Sequence, residues 1–473
     1  MNIGIWRLSI IFASLLALAA CSDADYAVHE TKEYIAIEEV AEYVDYLDDF
    51  TEYDDDEEPI IPAAIASLPP AHYADIFSSG RTRGEYLADL DYLYDTLVAN
   101  FPFFGVIYRR HGVDMHTIYQ QTRHHIETFS DITSDHQFAN LINTHFINHV
   151  RGAGHFNMLS GDFLLLHIQS FSNQIALGCN RFTYFLQEMD NPTTRALHSL
   201  TDDDFAPPVQ GEDSFVFATT SNNIEARIIE EGRIAYVNIL QMNHATMGLD
   251  HEKLLAFYRD IADFDHLIID IRQNGGGDSR FFPELVIAPN ISEPLEYYFY
   301  MFMMDGEHNR RLLAPWFENW WEDDAEYPIF APIHEDLLEQ LIYLHPEDAA
   351  MLDSYWTWRG AVYPSQNEAI FGGKVWLLTS GTNFSSSEMA AAITKQTGFA
   401  TLVGHTTGGD GIGINPLVVA LPNTGIVVRY SSVYGTDPLG RNNQEFGTQP
   451  HHFNMAGMDA LQTTLALIEE HDQ

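Results

Sequence analysis

The sequence has few basic residues and almost no cysteine. Its 473 residues include 23 Lys and Arg against 68 Asp and Glu, which gives a formal net charge of −45 at pH 7. This balance excludes a general nucleic-acid binder, because too few cations are present to neutralise a run of phosphates. Two cysteines cannot supply the disulfide framework that holds many secreted domains together. The hydrophobic residues (46%, with 13% aromatic) nevertheless suffice to bury the core of one large or two moderate domains.

An apolar run stands at the N-terminus. The stretch from Leu8 to Leu18 is too short to cross a bilayer, which is typical of a cleaved export signal. Small residues then precede Cys21, and residues 1–21 resemble a bacterial lipoprotein signal, in which the cysteine receives lipid and becomes the new N-terminus. A plain secretory signal is the alternative. We therefore expect an extracytoplasmic protein, lipid-anchored to the cell membrane through Cys21, with Cys179 left as an unpaired buried thiol.

Residues 22–68 carry an excess of acidic side chains. Between Ser22 and Pro59 there are sixteen Asp or Glu, and Lys32 is the single basic residue. Mutual repulsion extends and solvates such a segment, so we predict a disordered acidic tether ahead of the folded part.

Hydrophobic spacing divides the folded part into helices followed by an α/β core. Residues 69–160 place apolar side chains three or four positions apart, which predicts an N-terminal helical domain. Residues 161–225 alternate short apolar runs with polar turns, which favours strands and loops. From 226 to 473, strand patterns alternate with helix patterns and indicate an α/β core. Within this core, an aromatic-rich insertion at about 282–371 is predicted to be helical, as a lid or an extra layer.

Three segments of this chain could carry chemistry, although each also has a structural explanation. Residues 274–277 follow a buried strand, and their three glycines leave backbone amides free to hold an oxyanion or a phosphate, or simply to turn the chain. Ser385 stands between a strand and a helix, where a serine is either a nucleophile among unpaired amides or a helix cap. His155, preceded by a glycine, closes the helical region with an imidazole.

Two histidines could indicate a metal site. His145 and His149 lie four positions apart, a spacing that puts two imidazoles on one helix face. No glutamate of the HExxH type stands near them, and surface histidines explain the spacing more simply. We therefore predict no bound metal.

Taken in order, these segments resemble the tail-specific serine peptidases, the family of the carboxyl-terminal processing proteases and the tricorn protease core. The shared pattern consists of Gly-His, then hydrophobic-Asp-hydrophobic-Arg-x-Asn-Gly-Gly-Gly in 267–277, Ser-x-x-Glu in 375–388, Val-Gly-x-x-Thr-Gly-Gly in 402–411, a Leu-Pro turn at 421–425 and a late Gly-x-x-Pro. The resemblance covers roughly residues 226–455 and the histidine segment. It implies a peptide or protein substrate, a crotonase-like ββα spiral core, and no metal or organic cofactor.

The resemblance also implies roles for individual residues. Ser385 corresponds to the nucleophile, and His155 to the general base of the tricorn-type branch, where a histidine serves. Asp410 stands where the processing proteases have their catalytic lysine, so the base must come from elsewhere. Glu445 is the closest match to the glutamate that would steady the imidazolium. The oxyanion would be held by backbone amides of Gly276, Gly277 and Ser386.

The resemblance leaves two functions open. An endopeptidase that forms an acyl-enzyme is favoured by the survival of both Ser385 and His155 in position. A catalytically inactive binding protein for peptides or lipophilic ligands, on the same scaffold, is favoured by the missing lysine and by Gly154, where the tricorn-type branch has a serine.

Overall fold

The computed structural model describes residues 81–128, 132–206, 221–317 and 331–472. The predicted export signal with Cys21 and the predicted acidic tether lie outside these residues. Within the described ranges, no helix is both long and apolar enough to cross a membrane.

The first part of the described chain is helical, as its spacing predicts. Leu90, Leu93 and Leu97 stand three or four positions apart on the first helix and are fully buried, so they form the face that packs on the core. Thr82 caps this helix, because its hydroxyl accepts the N–H of Glu85 and the Glu85 carboxylate accepts the N–H of Thr82. The four helices are Arg83–Asn100, Phe104–His111, Met115–Thr128 and Asp135–His145.

Residues 161–205 are also helical, so the prediction of strands and loops for this stretch is wrong. The helices are Gly161–Ala176, Thr183–Met189, Pro192–His198 and Asp202–Phe205. Leu164, Ile168 and Phe171 are buried at helical spacing. Polar side chains such as His167 are buried among them. These polar residues break the apolar stripe into short runs, which hides the helical period in the sequence.

Thirteen strands are assigned in the described residues. They are β1 (Asn157–Leu159), β2 (Ile224–Glu230), β3 (Ile234–Ile239), β4 (His266–Asp270), β5 (Leu295–Met303), β6 (Ala331–Pro332), β7 (Ser354–Val362), β8 (Lys374–Thr379), β9 (Thr401–Gly404), β10 (Leu417–Ala420), β11 (Val427–Tyr430), β12 (Val433–Thr436) and β13 (His452–Phe453). The helices among them and after them are Met247–Asp260, Glu307–Phe317, Glu335–Gln340, Pro346–Ala349, Ser386–Thr397, Asn443–Phe446 and Ala460–His471.

The core is built on a six-stranded sheet in the order β13-β9-β8-β4-β3-β2. All neighbouring strands run parallel except the edge strand β2, which is antiparallel to β3. Every residue of β4 is buried, as expected for a strand covered on both faces. The loops that follow β4 and β8 leave the same edge of the sheet, because parallel strands end together.

The insertion contributes β5, β6 and β7 to a second sheet, which β12 of the later core completes, so the prediction of a helical insertion is wrong. This sheet is antiparallel and has the order β12-β5-β7-β6. Along β5, Tyr297, Phe299 and Met301 are buried and alternate with more exposed residues, which is the two-residue period of a strand. The exposed-side positions of β5 are themselves aromatic, as at Tyr298 and Tyr300, which masks the alternation in the sequence. The mixed α/β class with a helical N-terminal region is confirmed, and the crotonase-like spiral stays a prediction.

A third sheet joins the N-terminal region to the core. β11 lies between β1 and β10, and Asn157 of β1 pairs with Arg429 of β11. The segment next to His155 is therefore hydrogen-bonded into the core. A second junction lies at Asp89 on the first helix, which is fully buried and accepts the N–H groups of Asn423 (2.9 Å) and Thr424 (2.8 Å).

Cys179 is buried, but the expectation of an unpaired thiol is wrong. No cysteine among the described residues is free, and the Cys179 sulfur is disulfide-bonded.

Candidate active site

Ser385 occupies a strained turn between β8 and the helix Ser386–Thr397. Its backbone has φ 57° and ψ −128°, a conformation that side-chain-bearing residues rarely adopt. The Ser385 N–H donates to the carbonyl of Gly409 (3.1 Å), and the Gly408 N–H donates to the carbonyl of Asn383 (2.6 Å). Strain of this kind persists where the surroundings fix it, and it concentrates at functional sites. The turn therefore presents the Ser385 side chain at the start of a helix, beside residues 408–409.

The side chain of Asn383 holds this turn in place. Its side chain is fully buried, and its Nδ2 donates to the carbonyl of Asn274 (3.2 Å) and to the Ser387 hydroxyl (2.9 Å). Its Oδ1 accepts the N–H of Ser380 (2.7 Å). One amide side chain thus ties the loop after β4 to the loop after β8.

The triglycine turn lies directly against Ser385. A Cβ atom at Gly276, which has φ 108°, would lie 2.7 Å from the Phe384 carbonyl oxygen and 3.0 Å from the Ser385 Cβ, so only glycine fits there. The Gly276 N–H is already used, because it donates to Asn274 Oδ1 (2.9 Å). The N–H groups of Gly277 and Ser386 have no acceptor among the described residues. The Ser386 hydroxyl donates to the Gly277 carbonyl (2.7 Å) and holds the two amides in one place.

His155 reaches this turn from the N-terminal region. Its Nδ1 lies 2.5 Å from Asp410 Oδ2, and its ring centroid lies 4.6 Å from that of Phe384. Its Nε2 is buried and makes no hydrogen bond within the described chain. Gly154 allows this approach, because a Cβ there would lie 2.5 Å from the Phe101 ring. No hydrogen bond joins His155 to Ser385, although the His155 ring lies beside that of Phe384, the residue before Ser385.

Asp410 is the residue that the sequence analysis assigned no part in the site. It is buried, follows Gly409 directly, and accepts both the His155 ring N–H and the Ser431 hydroxyl (3.0 Å). The Ser431 Oγ also lies 3.1 Å from His155 Nδ1. With the Nδ1 proton directed at a carboxylate, Nε2 keeps its lone pair, which is the form of imidazole that can accept a proton. The signal available in the sequence was an acidic residue at the position where the processing proteases have lysine.

The core that carries this site matches a known protein family. The sequence profile of peptidase family S41 matches residues 233–452. This region belongs to peptidase family S41. Its membership supports a serine-type peptidase that acts on peptide or protein substrates. No curated protein sequence matches the chain.

Solved structures resemble the chain at low identity. Mature CPAF is 12% identical, with 78% of this chain and 92% of that chain covered and a TM-score of 0.48. A candidate peptidase from Parabacteroides merdae ATCC 43184 is 15% identical, with 83% and 97% covered and a TM-score of 0.46. A lipoprotein from Streptococcus agalactiae is 12% identical, with 84% and 99% covered and a TM-score of 0.38.

Glu445 of the S41 region does not contact His155, so the predicted contact is corrected. Its carboxylate binds the guanidinium of Arg109 through two hydrogen bonds (2.8 and 2.7 Å), and Arg109 also pairs with Asp348. The charge of Arg109 on the helix Phe104–His111 draws Glu445 towards that helix. The neighbouring Gln444 accepts the N–H of Gly154 (3.0 Å), so this turn supports the histidine segment through another residue.

Glu388 lies beneath the site, three residues after Ser385. Its side chain is fully buried, and one carboxylate oxygen accepts hydrogen bonds from Asn443 Nδ2 and from the Thr448 hydroxyl, both at 2.6 Å. Burial raises the pKa of Glu388 above its ordinary value, against the effect of these donors. The Ser-x-x-Glu spacing therefore connects the nucleophile helix to the segment 443–448.

His145 and His149 are not part of this site. His145 ends the helix Asp135–His145, and its ring stacks on that of His125 with centroids 4.5 Å apart. The described residues include no group of three or more His, Cys, Asp or Glu arranged to hold a metal ion.

Proposed function

We propose that this chain is a serine endopeptidase in which Ser385 attacks the peptide carbonyl and His155 accepts its proton. One observation carries the proposal. The His155 ring is held through Nδ1 by Asp410 at 2.5 Å, while its Nε2 is buried beside the strained Ser385 turn with no hydrogen-bond partner in the described part of the chain. A buried polar atom without a partner is costly, so it needs an explanation. A general base that waits for a substrate and a nucleophile supplies one.

The reaction follows from these positions. His155 Nε2 takes the Ser385 proton as the Oγ–carbon bond forms, and Asp410 stabilises the imidazolium. The N–H groups of Ser386 and Gly277 hold the oxyanion, each worth about 3 kcal/mol of transition-state stabilisation. The imidazolium then protonates the leaving amine, and water releases the acyl group by the same steps. In this scheme Asp410 takes the part that the sequence analysis gave to Glu445.

Proton transfer requires the Ser385 hydroxyl and His155 Nε2 to come within hydrogen-bonding distance, and they make no hydrogen bond in this structure. Catalytic hydrogen bonds are often absent or long in ligand-free enzymes and tighten when substrate binds. The missing Ser385–His155 hydrogen bond also favours the second candidate, a catalytically inactive binding protein on the same scaffold.

A serine-directed fluorophosphonate separates the two candidates. We expect the purified protein to be labelled, Ser385→Ala to lose labelling completely, and His155→Ala to label at least 100-fold more slowly, about the contribution of a general base. Ser380→Ala is the matched control, because its hydroxyl lies in the same loop but donates to the Arg272 carbonyl (2.6 Å). Equal labelling of the wild type and Ser385→Ala would reject the nucleophile, and absence of labelling in all variants would favour the binding protein.

We also propose that the protein is anchored outside the cytoplasm by lipid on Cys21. The apolar run and the small residues before Cys21 support this proposal. The sequence has two cysteines, so lipid on the Cys21 sulfur and a disulfide bond between the two cysteines exclude each other. The intact mass of protein extracted from membranes tests the anchor, because acylation adds several hundred daltons at Cys21 and a mature chain without them would contradict it.

A further inference from the structure

Arg429 is a half-buried arginine, and no carboxylate of the described residues forms an ion pair with it. Its Nε donates to the neutral side chain of Asn157 (3.1 Å), and its guanidinium lies 5.4 Å from the ring centroid of Phe163. Its terminal Nη atoms have no acceptor among the described residues. Burial lowers the pKa of Arg429 to about 10, and Asp410 is the charge that opposes this shift.

An incompletely paired guanidinium in such a place is costly for the fold. Buried charges are normally paired, since the desolvation of an ion is offset only by an opposite charge and by full hydrogen bonding. Arg272, which is also half-buried, shows the usual solution, because it forms an ion pair with Asp270 at 2.7 Å. Arg429 lacks this compensation among the described residues, where its two Nη atoms have no acceptor.

The position of Arg429 connects it to the proposed catalytic residues. Asn157, which holds its Nε, is two residues from His155 and pairs with Arg429 across β1 and β11. Just past β11, the Ser431 N–H donates to the carbonyl of Gly154, the residue before His155 (2.6 Å). Arg429 and Ser431 are two positions apart where β11 ends, and the Ser431 hydroxyl contacts both His155 and Asp410.

We propose that Arg429 binds a carboxylate of the peptide substrate beside the catalytic residues. The proposal rests on the peptidase function proposed above and adds a preference for acidic substrates. A planar guanidinium with two available nitrogens matches a carboxylate in a bidentate arrangement. The net charge of −45 does not prevent this, because charges beyond about 8 Å are largely screened at physiological salt. The carboxylate comes from an Asp or Glu side chain or from the C-terminus of the peptide.

Binding to the Ser385→Ala variant tests the proposal without relying on cleavage. The probes are fluorescent peptides in which one Glu is moved through successive positions of a neutral, C-terminally amidated sequence, each compared with its Gln counterpart. A second pair has no acidic side chain and differs in a free or an amidated C-terminus. We expect the carboxylate form to bind about 10- to 100-fold more tightly in at least one pair, which is the range of a charge-assisted hydrogen bond.

Substitutions at position 429 assign this preference. Arg429→Gln in the same background is expected to bring the two affinities within about twofold, and Arg429→Lys to retain part of the difference. Arg227→Gln is the matched control, because Arg227 lies over the Tyr236 ring (4.5 Å) on the edge strand β2. A preference that Arg429→Gln leaves unchanged, or no preference in the parent, overturns the proposal. If Arg429→Gln does not fold, a smaller preference in folded Arg429→Lys supports the proposal and an unchanged preference overturns it.

The two proposals fail in different ways. Acid-selective binding that depends on Arg429, together with no Ser385-dependent cleavage, would refute the peptidase and leave the carboxylate site. Ser385-dependent cleavage with equal kcat/KM for Glu and Gln peptides, in the wild type and in Arg429→Gln, would refute only the carboxylate site.

Discussion

Replacing Asp410 by Asn tests whether this carboxylate supports the proposed base. The substitution keeps the shape of the side chain and removes the negative charge that lies 2.5 Å from His155 Nδ1. Opposite unit charges about 4 Å apart, at an effective dielectric constant of about 20, attract by about 4 kcal/mol. The imidazolium forms only in the transition state and intermediates, so this loss falls on kcat. We expect kcat to fall about 10³-fold, with KM changed less than about threefold.

The assay is steady-state cleavage of a quenched fluorescent peptide, together with the rate of fluorophosphonate labelling. Asp89→Asn is the matched control, because Asp89 is also a fully buried carboxylate with several donors but lies at the turn of residues 423–424. We expect this control to lower the melting temperature and to leave kcat within about threefold. A folded Asp410→Asn variant that keeps kcat within tenfold of the wild type would refute the role of Asp410.

Three further substitutions have separate expected outcomes. Glu445→Gln weakens the pair with Arg109, so it should lower the melting temperature while kcat stays within about tenfold; a loss as large as that of Asp410→Asn would return Glu445 to the catalytic set. Gly276→Ala should reduce kcat/KM at least 100-fold, because its Cβ would press on the Ser385 turn. Gly275→Ala should not reduce it, because a Cβ there meets nothing within 4 Å. Similar kcat/KM values for both variants would contradict the close contact between Gly276 and the Ser385 turn. Burial raises the pKa of Glu388, so the folded state holds its proton more tightly, and its contribution to stability is present below pH 4.5 and lost as the pH rises through the raised pKa. The melting temperature of the wild type relative to Glu388→Gln should therefore fall as the pH rises above about 4.5, and a constant difference would contradict this assignment.

Much of the core could be predicted because its sequence signals are local. The strand His266–Asp270 is apolar along its whole length since both faces are covered, and the glycines after it are required by close backbone contacts. The helices of 161–205 and the strand Leu295–Met303 were missed because buried polar residues in the first, and aromatic residues on both faces of the second, obscure the period.

The partner of the histidine could not be predicted, because the sequence does not state which of its 68 acidic residues lies near an imidazole. Asp410 and Glu445 both follow core strands, and both are compatible with the order of the motifs. The two residues differ in their contacts in the folded chain. Arg109, on a helix far away in the sequence, binds Glu445. The backbone turn at Gly409 places Asp410 beside the His155 ring. The Arg429 side chain was overlooked for the same reason, since the lack of a partner is visible only in the folded chain.

The strand pairing of β1 with β11 has a consequence for the newly made chain. His155 and Asp410 are 255 positions apart, and the ladder that brings them together needs residues up to 431. Contacts at such a separation in sequence form late in folding, because a long loop must close, at a cost in entropy, before they can stabilise the chain. A ribosome-bound or partly threaded polypeptide therefore holds the imidazole and the hydroxyl far apart. Any hydrolytic activity of the protein therefore starts only after the whole chain has been synthesised. Other proteins close to the ribosome are not cleaved while synthesis continues.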